Sequence, residues 1–171
     1  MSQIKIAVIV GSLRKESINK KLALAVSGMF ADRFTLQRVE IAELPLYNQD
    51  FDGDFPASGV RFKQEVEAAD ALLFVTPEYN RSIPGGLKNA IDWASRPPGQ
   101  CFKGKLVGVM AASPGPYGGV RMIFATGYEA QSMLKQNVVN LKSTYAAVTQ
   151  PLEGRSPWDA DYLYWETARP Y

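Results

Sequence analysis

Three largely apolar runs, at 4–10, 71–76 and 106–112, divide the chain into similar units. Each run is followed by a loop and then by residues that can form a helix. Strands with one wet face alternate between apolar and polar residues, so continuous runs are typical of parallel strands covered on both faces. The repeated units therefore predict an α/β fold with a doubly wound parallel sheet.

The first predicted helix presents one apolar face after the strand at 4–10. That face is formed by Ile18, Leu22, Ala25, Val26 and Met29. The next apolar segment, Phe34 to Ile41, has polar interruptions, which favour an edge strand. The segment 42–58 lacks clear periodicity, and we predict a long loop of the kind that is often functional.

Two further helices are predicted between the second and third apolar runs. Phe62, Val66 and Ala69 mark a short helix that ends at Asp70. Leu87, Ile91 and Ala94 mark a helix from about Pro84 to Ser95. Pro84 suits the first helical position, because its missing N–H costs little there.

The C-terminal third follows this pattern less clearly. The segment 122–137 can form a helix, and 138–148 is predicted to supply the fifth strand of a five-stranded sheet. The residues 149–171 contain no full closing helix. We therefore expect a single domain over 1–171 with an atypical tail at 149–171.

Composition narrows the classes of function. With 171 residues, 46% of them apolar and 21% charged, the chain suits one globular domain. No apolar run is long enough to cross a membrane, and the first strand leaves no room for a signal peptide. A net charge of +2 does not indicate a nucleic-acid partner. The single cysteine, Cys101, cannot form an internal disulfide, which favours a reducing cytoplasmic location.

The chain contains no histidine. Its absence excludes Ser-His-Asp and Cys-His nucleophilic sites and removes the commonest general base. It also removes the usual ligand of transition metals, and we predict no metal site. If the protein is an enzyme, a bound cofactor is expected to carry the reactive chemistry.

The loop after the first strand has the composition of a phosphate site. Gly11 ends the strand, and the hydroxyls of Ser12 and Ser17 lie close in sequence to Arg14 and Asn19. A helix that starts directly after a strand offers free N–H groups and a favourable dipole to an anion. The loop has neither the three glycines of a dinucleotide fingerprint nor a Walker ending, so a single phosphate monoester fits best. The alternative is an ordinary turn in which Ser17 caps the helix.

The loops after the three buried strands are all rich in Gly, Pro or hydroxyl residues. Parallel strands end at the same edge of a sheet, and ligands bind there, at the point where the strand order reverses. We therefore expect the three loops to line one crevice.

Three motifs resemble the NADPH-dependent FMN reductase family, which includes soluble chromate and quinone reductases and some azoreductases. They are GSLRKESIN at 11–19, PEYNRSIPGGLKNAIDW at 77–93 and SPGPYGG at 113–119. The second motif is long and highly specific. The resemblance covers roughly 4–122 and implies a flavodoxin-like fold with FMN bound without a covalent link.

The resemblance also implies which residues bind the cofactor. The FMN phosphate would lie on the first motif, the isoalloxazine would run along the second, and the third would flank the other side of the flavin. The residues concerned are Ser12, Arg14, Ser17, Ile18, Asn19, Pro77, Glu78, Tyr79, Asn80, Ser113 and Gly115. No catalytic side chain is expected, since the flavin carries the chemistry. Glu78 has an alternative role in capping or solvating its loop, and Asn89, Asp92 and Trp93 are expected to support helix packing.

The expected function is an FMN-dependent oxidoreductase that passes electrons from NADPH or NADH to quinones or to azo, nitro or chromate acceptors. A flavodoxin-type electron carrier is the alternative, although such carriers tend to be acidic and this chain is slightly basic. A relic that no longer binds FMN, because of its altered tail, is a third reading.

The resemblance implies a homodimer or homotetramer. Tyr47, Phe51 and Phe55 in the loop 42–58 are candidates for exposed interface residues, because aromatic side chains are enriched at interfaces. The alternative is that these rings fold onto their own domain.

Overall fold

The computed structural model describes residues 3–97, 101–114, 119 and 142–147. The strands are β1 (Ile4–Val10), β2 (Phe34–Val39), β3 (Ala71–Val75), β4 (Leu106–Ser113) and β5 (Lys142–Ala147). The helices are α1 (Ile18–Met29), α2 (Ala57–Glu67) and α3 (Gly85–Ser95), and Gln49–Phe51 form one short 3-10 turn. No helix in this part of the chain is both long and apolar enough to cross a membrane.

The strands form a parallel sheet in the order β2-β1-β3-β4-β5. The chain moves from β1 outward to β2 and then crosses back to place β3 on the other side of β1. The strand order therefore reverses between β1 and β3, which is where open α/β sheets bind ligands. The predicted parallel α/β fold is confirmed, and so is the position of β2 at an edge of the sheet.

Both faces of the sheet are covered because the side chains of β1 alternate between two apolar clusters. Ala7 and Ile9 belong to the larger cluster, with the buried residues of α2 and α3. Val8 and Val10 belong to the smaller cluster, with Ala23 of α1. This two-sided burial explains why β1 is apolar without alternation from residue 6 to residue 10.

The buried face of α1 differs from the predicted one. Asn19, Ala23 and Val26 are its buried residues, whereas Ile18 and Met29 are 38% and 51% exposed. The apolar spacing therefore predicted the helix correctly, but the face that it predicted to point inward is rotated relative to the observed one. The reason is that a polar residue, Asn19, is turned towards the sheet and bonds to a strand there.

The predicted position of Pro84 at the start of α3 was wrong by one residue. Pro84 is the residue that caps the helix, one position before Gly85, and is not its first helical residue. Its carbonyl accepts the first helical hydrogen bond from Lys88 N, at 3.0 Å. Its ψ of 143° is extended, which a first helical residue would not have.

The long loop 42–58 folds onto its own domain. The rings of Tyr47, Phe51 and Phe55 are partly buried and surround the Trp93 ring, with centroid distances of 5.3, 5.5 and 5.1 Å. Trp93 itself is fully buried. The prediction that these three aromatic residues are exposed was wrong, since intramolecular packing against one indole partly buries each of them.

Side chains of α3 hold the same loop by hydrogen bonds. Asn89 Oδ1 accepts from Tyr47 N at 2.8 Å, and Asn89 Nδ2 donates to Pro45 O at 2.9 Å. Trp93 Nε1 also donates to Pro45 O, at 2.8 Å, and Asp92 pairs with Lys88 at 2.7 Å. The prediction that Asn89 and Trp93 support helix packing is confirmed by these contacts, whereas the ion pair of Asp92 lies within α3 itself.

Cys101 belongs to the larger core cluster. Its thiol is within 3.5 Å of Ala94 O, and burial raises the pKa of this thiol to about 11. The thiol therefore stays protonated at neutral pH and packs as a small apolar side chain. The predicted helix in 122–137 and the tail at 149–171 lie outside the described residues.

The close approach of β1 and β3 predicts that Gly11 tolerates no side chain. A Cβ there would lie 2.0 Å from Thr76 Oγ1 and 2.6 Å from Thr76 Cβ, and Thr76 is fully buried. Gly11→Ala should therefore lower the free energy of unfolding by about 1–3 kcal/mol, as overpacking does. Urea denaturation of the apoprotein measures the change.

Gly28→Ala is the matched control for that substitution. Gly28 lies in α1, and a Cβ there would meet nothing within 4 Å. Alanine should stabilise this helical position by about 0.5–1 kcal/mol. Equal effects of the two substitutions would contradict the close-packing argument.

Candidate functional site

The N-terminus of α1 has the groups needed to bind an anion. Ser12 and Ser17 are each only 4% exposed. Ser17 caps the helix, and its hydroxyl accepts from Lys20 N at 3.3 Å. Within the described part of the chain, the N–H groups of Ile18 and Asn19 have no acceptor, as expected for the first turn of a helix. The capping alternative for Ser17 is thus correct, and it leaves the anion site intact because the hydroxyl still has a proton to donate.

The side chain of Arg14 is exposed, and no ion pair ties it to any other described residue. It lies in the same loop as Ser12, between the end of β1 and the start of α1. A free guanidinium beside buried hydroxyls and free N–H groups suits a phosphate, which accepts bidentate hydrogen bonds.

The first and second loops lie against each other. Gly11 N donates to Val75 O at 3.0 Å, so the ladder between β1 and β3 continues to the start of both loops. A Cβ on Gly86 would lie 3.5 Å from Leu13 Cδ1, which places the first loop beside the start of α3. The predicted convergence of these two loops at the carboxyl edge of the sheet is confirmed.

The second loop contains a tight hairpin. Tyr79 N donates to Ser82 O and Ser82 N donates to Tyr79 O, both at 3.0 Å. The two residues between them, Asn80 and Arg81, have positive φ values of 51° and 65°. Positive φ at both central positions is what a two-residue hairpin turn requires. Arginine is unusual there, because a positive φ strains the backbone of most residues other than Gly, Asn and Asp.

The hairpin presents its predicted site residues to different degrees. Pro77 and Glu78 are partly buried, directly after β3, whereas Tyr79 is 49% exposed and Asn80 is exposed. No hydrogen bond or ion pair joins the Glu78 carboxylate to another described residue. The backbone of this segment is therefore held by the hairpin, while the Tyr79 ring presents half of its surface to a ligand or to solvent.

The third loop begins at Ser113, the last residue of β4, which is partly buried. The residue before it, Ala112, exchanges two hydrogen bonds with the Asn19 side chain. The end of β4 is thereby fixed to the first turn of α1. Gly115 lies outside the described residues.

The phosphate role predicted for Asn19 from the loop motif stays a prediction. Its side-chain amide has a further role that the sequence did not indicate, because it bonds to Ala112, 93 positions away along the chain. Its position on the predicted polar side of α1 gave no signal of that distant partner.

Comparison with known proteins defines the family. The family model described as NADPH-dependent FMN reductase matches residues 4–147. The chain belongs to this family. The resemblance that the three motifs predicted is thereby confirmed.

Individual relatives agree with the family. A 2-hydroxy-1,4-benzoquinone reductase from a Burkholderia species is 53% identical over 116 residues, covering 67% of this chain and 63% of the relative. A quinone reductase of Pseudomonas putida is 53% identical over 122 residues, covering 70% and 66%. The chain thus spans just under two thirds of the length of these relatives.

A solved structure of a relative has the same overall fold. The flavoenzyme FerB, an NAD(P)H:(acceptor) oxidoreductase from Paracoccus denitrificans, is 37% identical, with a TM-score of 0.74. The similarity covers 92% of this chain and 81% of FerB. The sheet and its carboxyl edge thus occur in an experimentally determined relative.

The strained hairpin predicts a stabilising substitution. Arg81→Gly should raise the free energy of unfolding by about 0.5–1 kcal/mol, because glycine adopts a positive φ without steric cost. The resulting Asn-Gly pair is also the favoured sequence for such a turn. Urea denaturation measures the effect.

Arg38→Gly serves as the matched control for Arg81→Gly. Arg38 lies in the edge strand β2. Arg38→Gly should lower the free energy of unfolding, because glycine weakens a strand interior. A loss of stability in Arg81→Gly as well would mean that the Arg81 side chain makes a stabilising contact.

Proposed function

We propose that this protein is an FMN-dependent NAD(P)H oxidoreductase with quinones as its acceptors. The observation that carries the proposal is the buried, hydroxyl-rich N-terminus of α1 beside the β1–β3 switch point, in a chain of the FMN reductase family. The activities for which the relatives are named, quinone reductase and NAD(P)H:(acceptor) oxidoreductase, support the acceptor class and the electron donor.

The residues present fit the phosphate of FMN. Ser12 and Ser17 are buried hydroxyls, Ile18 offers a free N–H group, and Arg14 supplies the positive charge. A monoester dianion in this place would be matched by the helix dipole and by charge-assisted hydrogen bonds. In this proposal Asn19 contributes through its backbone N–H, because its side chain is already bonded to Ala112.

The ring end of FMN would lie along the hairpin. Pro77, Glu78, Tyr79 and Asn80 follow the central strand β3 directly, and the paired backbone of Tyr79 and Ser82 keeps this edge rigid. Ser113 and Gly115 would flank the other side of the flavin. Bound FMN would supply the redox chemistry, accepting a hydride from NAD(P)H and reducing the acceptor.

The chain's own residues would bind and orient without transferring protons through histidine, which the sequence lacks. Such a site selects acceptors by shape and access more than by a dedicated acid. We therefore propose broad acceptor use, with azo compounds, nitro compounds and chromate beside quinones.

The proposal extends to assembly, architecture and location. A flavin site at the open carboxyl edge of one domain would be completed by a second subunit, so we propose a homodimer or homotetramer.

We propose one flavodoxin-like domain over 1–171, in which β5 completes a five-stranded doubly wound sheet before the atypical tail 149–171. The single cysteine supports a reducing, cytoplasmic setting.

Turnover tests the activity directly. The purified protein, loaded with FMN, should oxidise NADPH or NADH steadily in the presence of a benzoquinone. The apoprotein without added FMN should not. An electron carrier would show bound flavin with no such turnover, and a chain that binds no FMN at all would refute the proposal.

The phosphate site predicts a specific loss of affinity. A charge-assisted contact to phosphate is worth on the order of 1.5–3 kcal/mol, so Arg14→Ala should weaken FMN binding about tenfold or more. Quenching of FMN fluorescence during titration of the apoprotein measures the affinity.

Arg33→Ala is the matched control for Arg14→Ala. It also removes one arginine side chain, but at the edge of the sheet opposite the proposed phosphate site. Arg33 precedes β2, and its guanidinium lies over the Phe34 ring at 5.8 Å. This control should keep the FMN affinity of the wild type. Unchanged affinity in Arg14→Ala would exclude Arg14 from the site.

A further inference from the structure

Asn19 bonds to a strand from the first turn of a helix. It is the second residue of α1 and is only 2% exposed. Its Nδ2 donates to Ala112 O and its Oδ1 accepts from Ala112 N, both at 2.9 Å. A carboxamide carries the same donor and acceptor as a peptide group, so the side chain pairs with Ala112 as a neighbouring strand would.

The end of β3 explains why this partner is needed. Val75 is the last residue of β3 in register with β4, opposite Met110, and Thr76 N still donates to Met110 O at 3.0 Å. The register between β3 and β4 ends with that pair. Residues two apart in a strand face the same neighbour, so Ala112 faces the place that β3 has left. Asn19 fills that place, and no backbone group of Ala112 is left unpaired.

We propose that this amide clamp, the pair Asn19–Ala112, is a positioning device for the cofactor. It fixes the phosphate-binding end of the crevice, at the start of α1, to the ring-binding end, which begins at Ser113. The ligand's identity rests on the function proposed above, whereas the clamp itself rests on the two hydrogen bonds. Asn19 is then a positioning residue, and its side chain does not touch the phosphate.

The two roles predict different ligand selectivity. FMN and riboflavin share the ring and the ribityl chain and differ in the phosphate. A side chain that binds the phosphate should matter for FMN alone. A side chain that holds Ala112, and with it the neighbouring Ser113 at the ring end of the crevice, should matter for both flavins.

The experiment compares FMN and riboflavin binding to the apoprotein by fluorescence quenching. Asn19→Ala should weaken the binding of both flavins, by about tenfold for riboflavin and by at least as much for FMN. Arg14→Ala should weaken FMN and leave riboflavin unchanged. Asn19→Leu, which has a similar branched shape and no hydrogen-bonding group, should repeat the Ala result and provides a second variant if the first folds poorly.

Val66→Ala is the matched control for lost stability. Val66 is fully buried in α2, near the point where Asp70 N donates to Lys5 O at the opposite edge of the sheet. It should lower stability without changing the affinity of either flavin. A comparable loss of flavin affinity in this variant would mean that the Asn19 effect is only global destabilisation, and it would overturn the proposal.

Hydrogen exchange in the flavin-free protein tests the clamp without any ligand. The Ala112 amide should be protected in the wild type and should exchange at least tenfold faster in Asn19→Leu, relative to the amides of β1. Val66→Ala should not produce that local difference.

The outcomes separate the clamp from the proposed function. Loss of FMN affinity alone in the Asn19 variants would make Asn19 a direct phosphate ligand, and unchanged affinity for both flavins would remove it from the site. Either result overturns the positioning role. If the wild type binds neither flavin, the proposed function is wrong, and exchange at Ala112 alone then decides whether the clamp exists.

Discussion

The contact between the ends of β1 and β3 is the constraint on which the site depends. Gly11 N bonds to Val75 O, and the absence of a side chain at Gly11 lets the buried Thr76 lie against the backbone. Two loops therefore leave the sheet side by side at its switch point. If this contact were wider, the helix N-terminus and the hairpin would face separate patches of surface, and no single ligand would span them.

Around that contact, polar groups are satisfied in a way that leaves the crevice available. The Ser17 hydroxyl accepts from the helix, Asn19 completes the pairing of Ala112, and the hairpin pairs its own backbone. The first loop and the start of α1 leave three groups without partners among the described residues, the N–H groups of Ile18 and Asn19 and the Arg14 guanidinium, and these groups suit an anion. Groups with structural partners and groups available to a ligand thus belong to adjacent residues of one loop.

The far side of the sheet is stabilised by aromatic packing. The loop 42–58 closes over Trp93 with three rings, and Asn89 fixes its backbone. This arrangement supports α3 from outside, and α3 in turn places Gly86 against Leu13 of the first loop. The loop that was predicted as an interface is therefore part of the support of the site, and it takes its stability from apolar burial.

Much of this architecture was determined by local sequence. Continuous apolar runs predicted the parallel strands, Ser17 before an apolar helix predicted the helix start, and the long PEYNRSIPGGLKNAIDW motif indicated the family. These signals depend on neighbours along the chain, so they can be read without a structure. The exposure of Ile18, the partial burial of Phe51 and the side-chain partner of Asn19 could not be read from the sequence, because they depend on surfaces or partners distant along the chain. A polar residue in a loop motif completes a strand, and an aromatic residue in a polar loop packs on a buried indole. Only the tertiary structure decides such roles, since burial and long-range hydrogen bonding override local pattern.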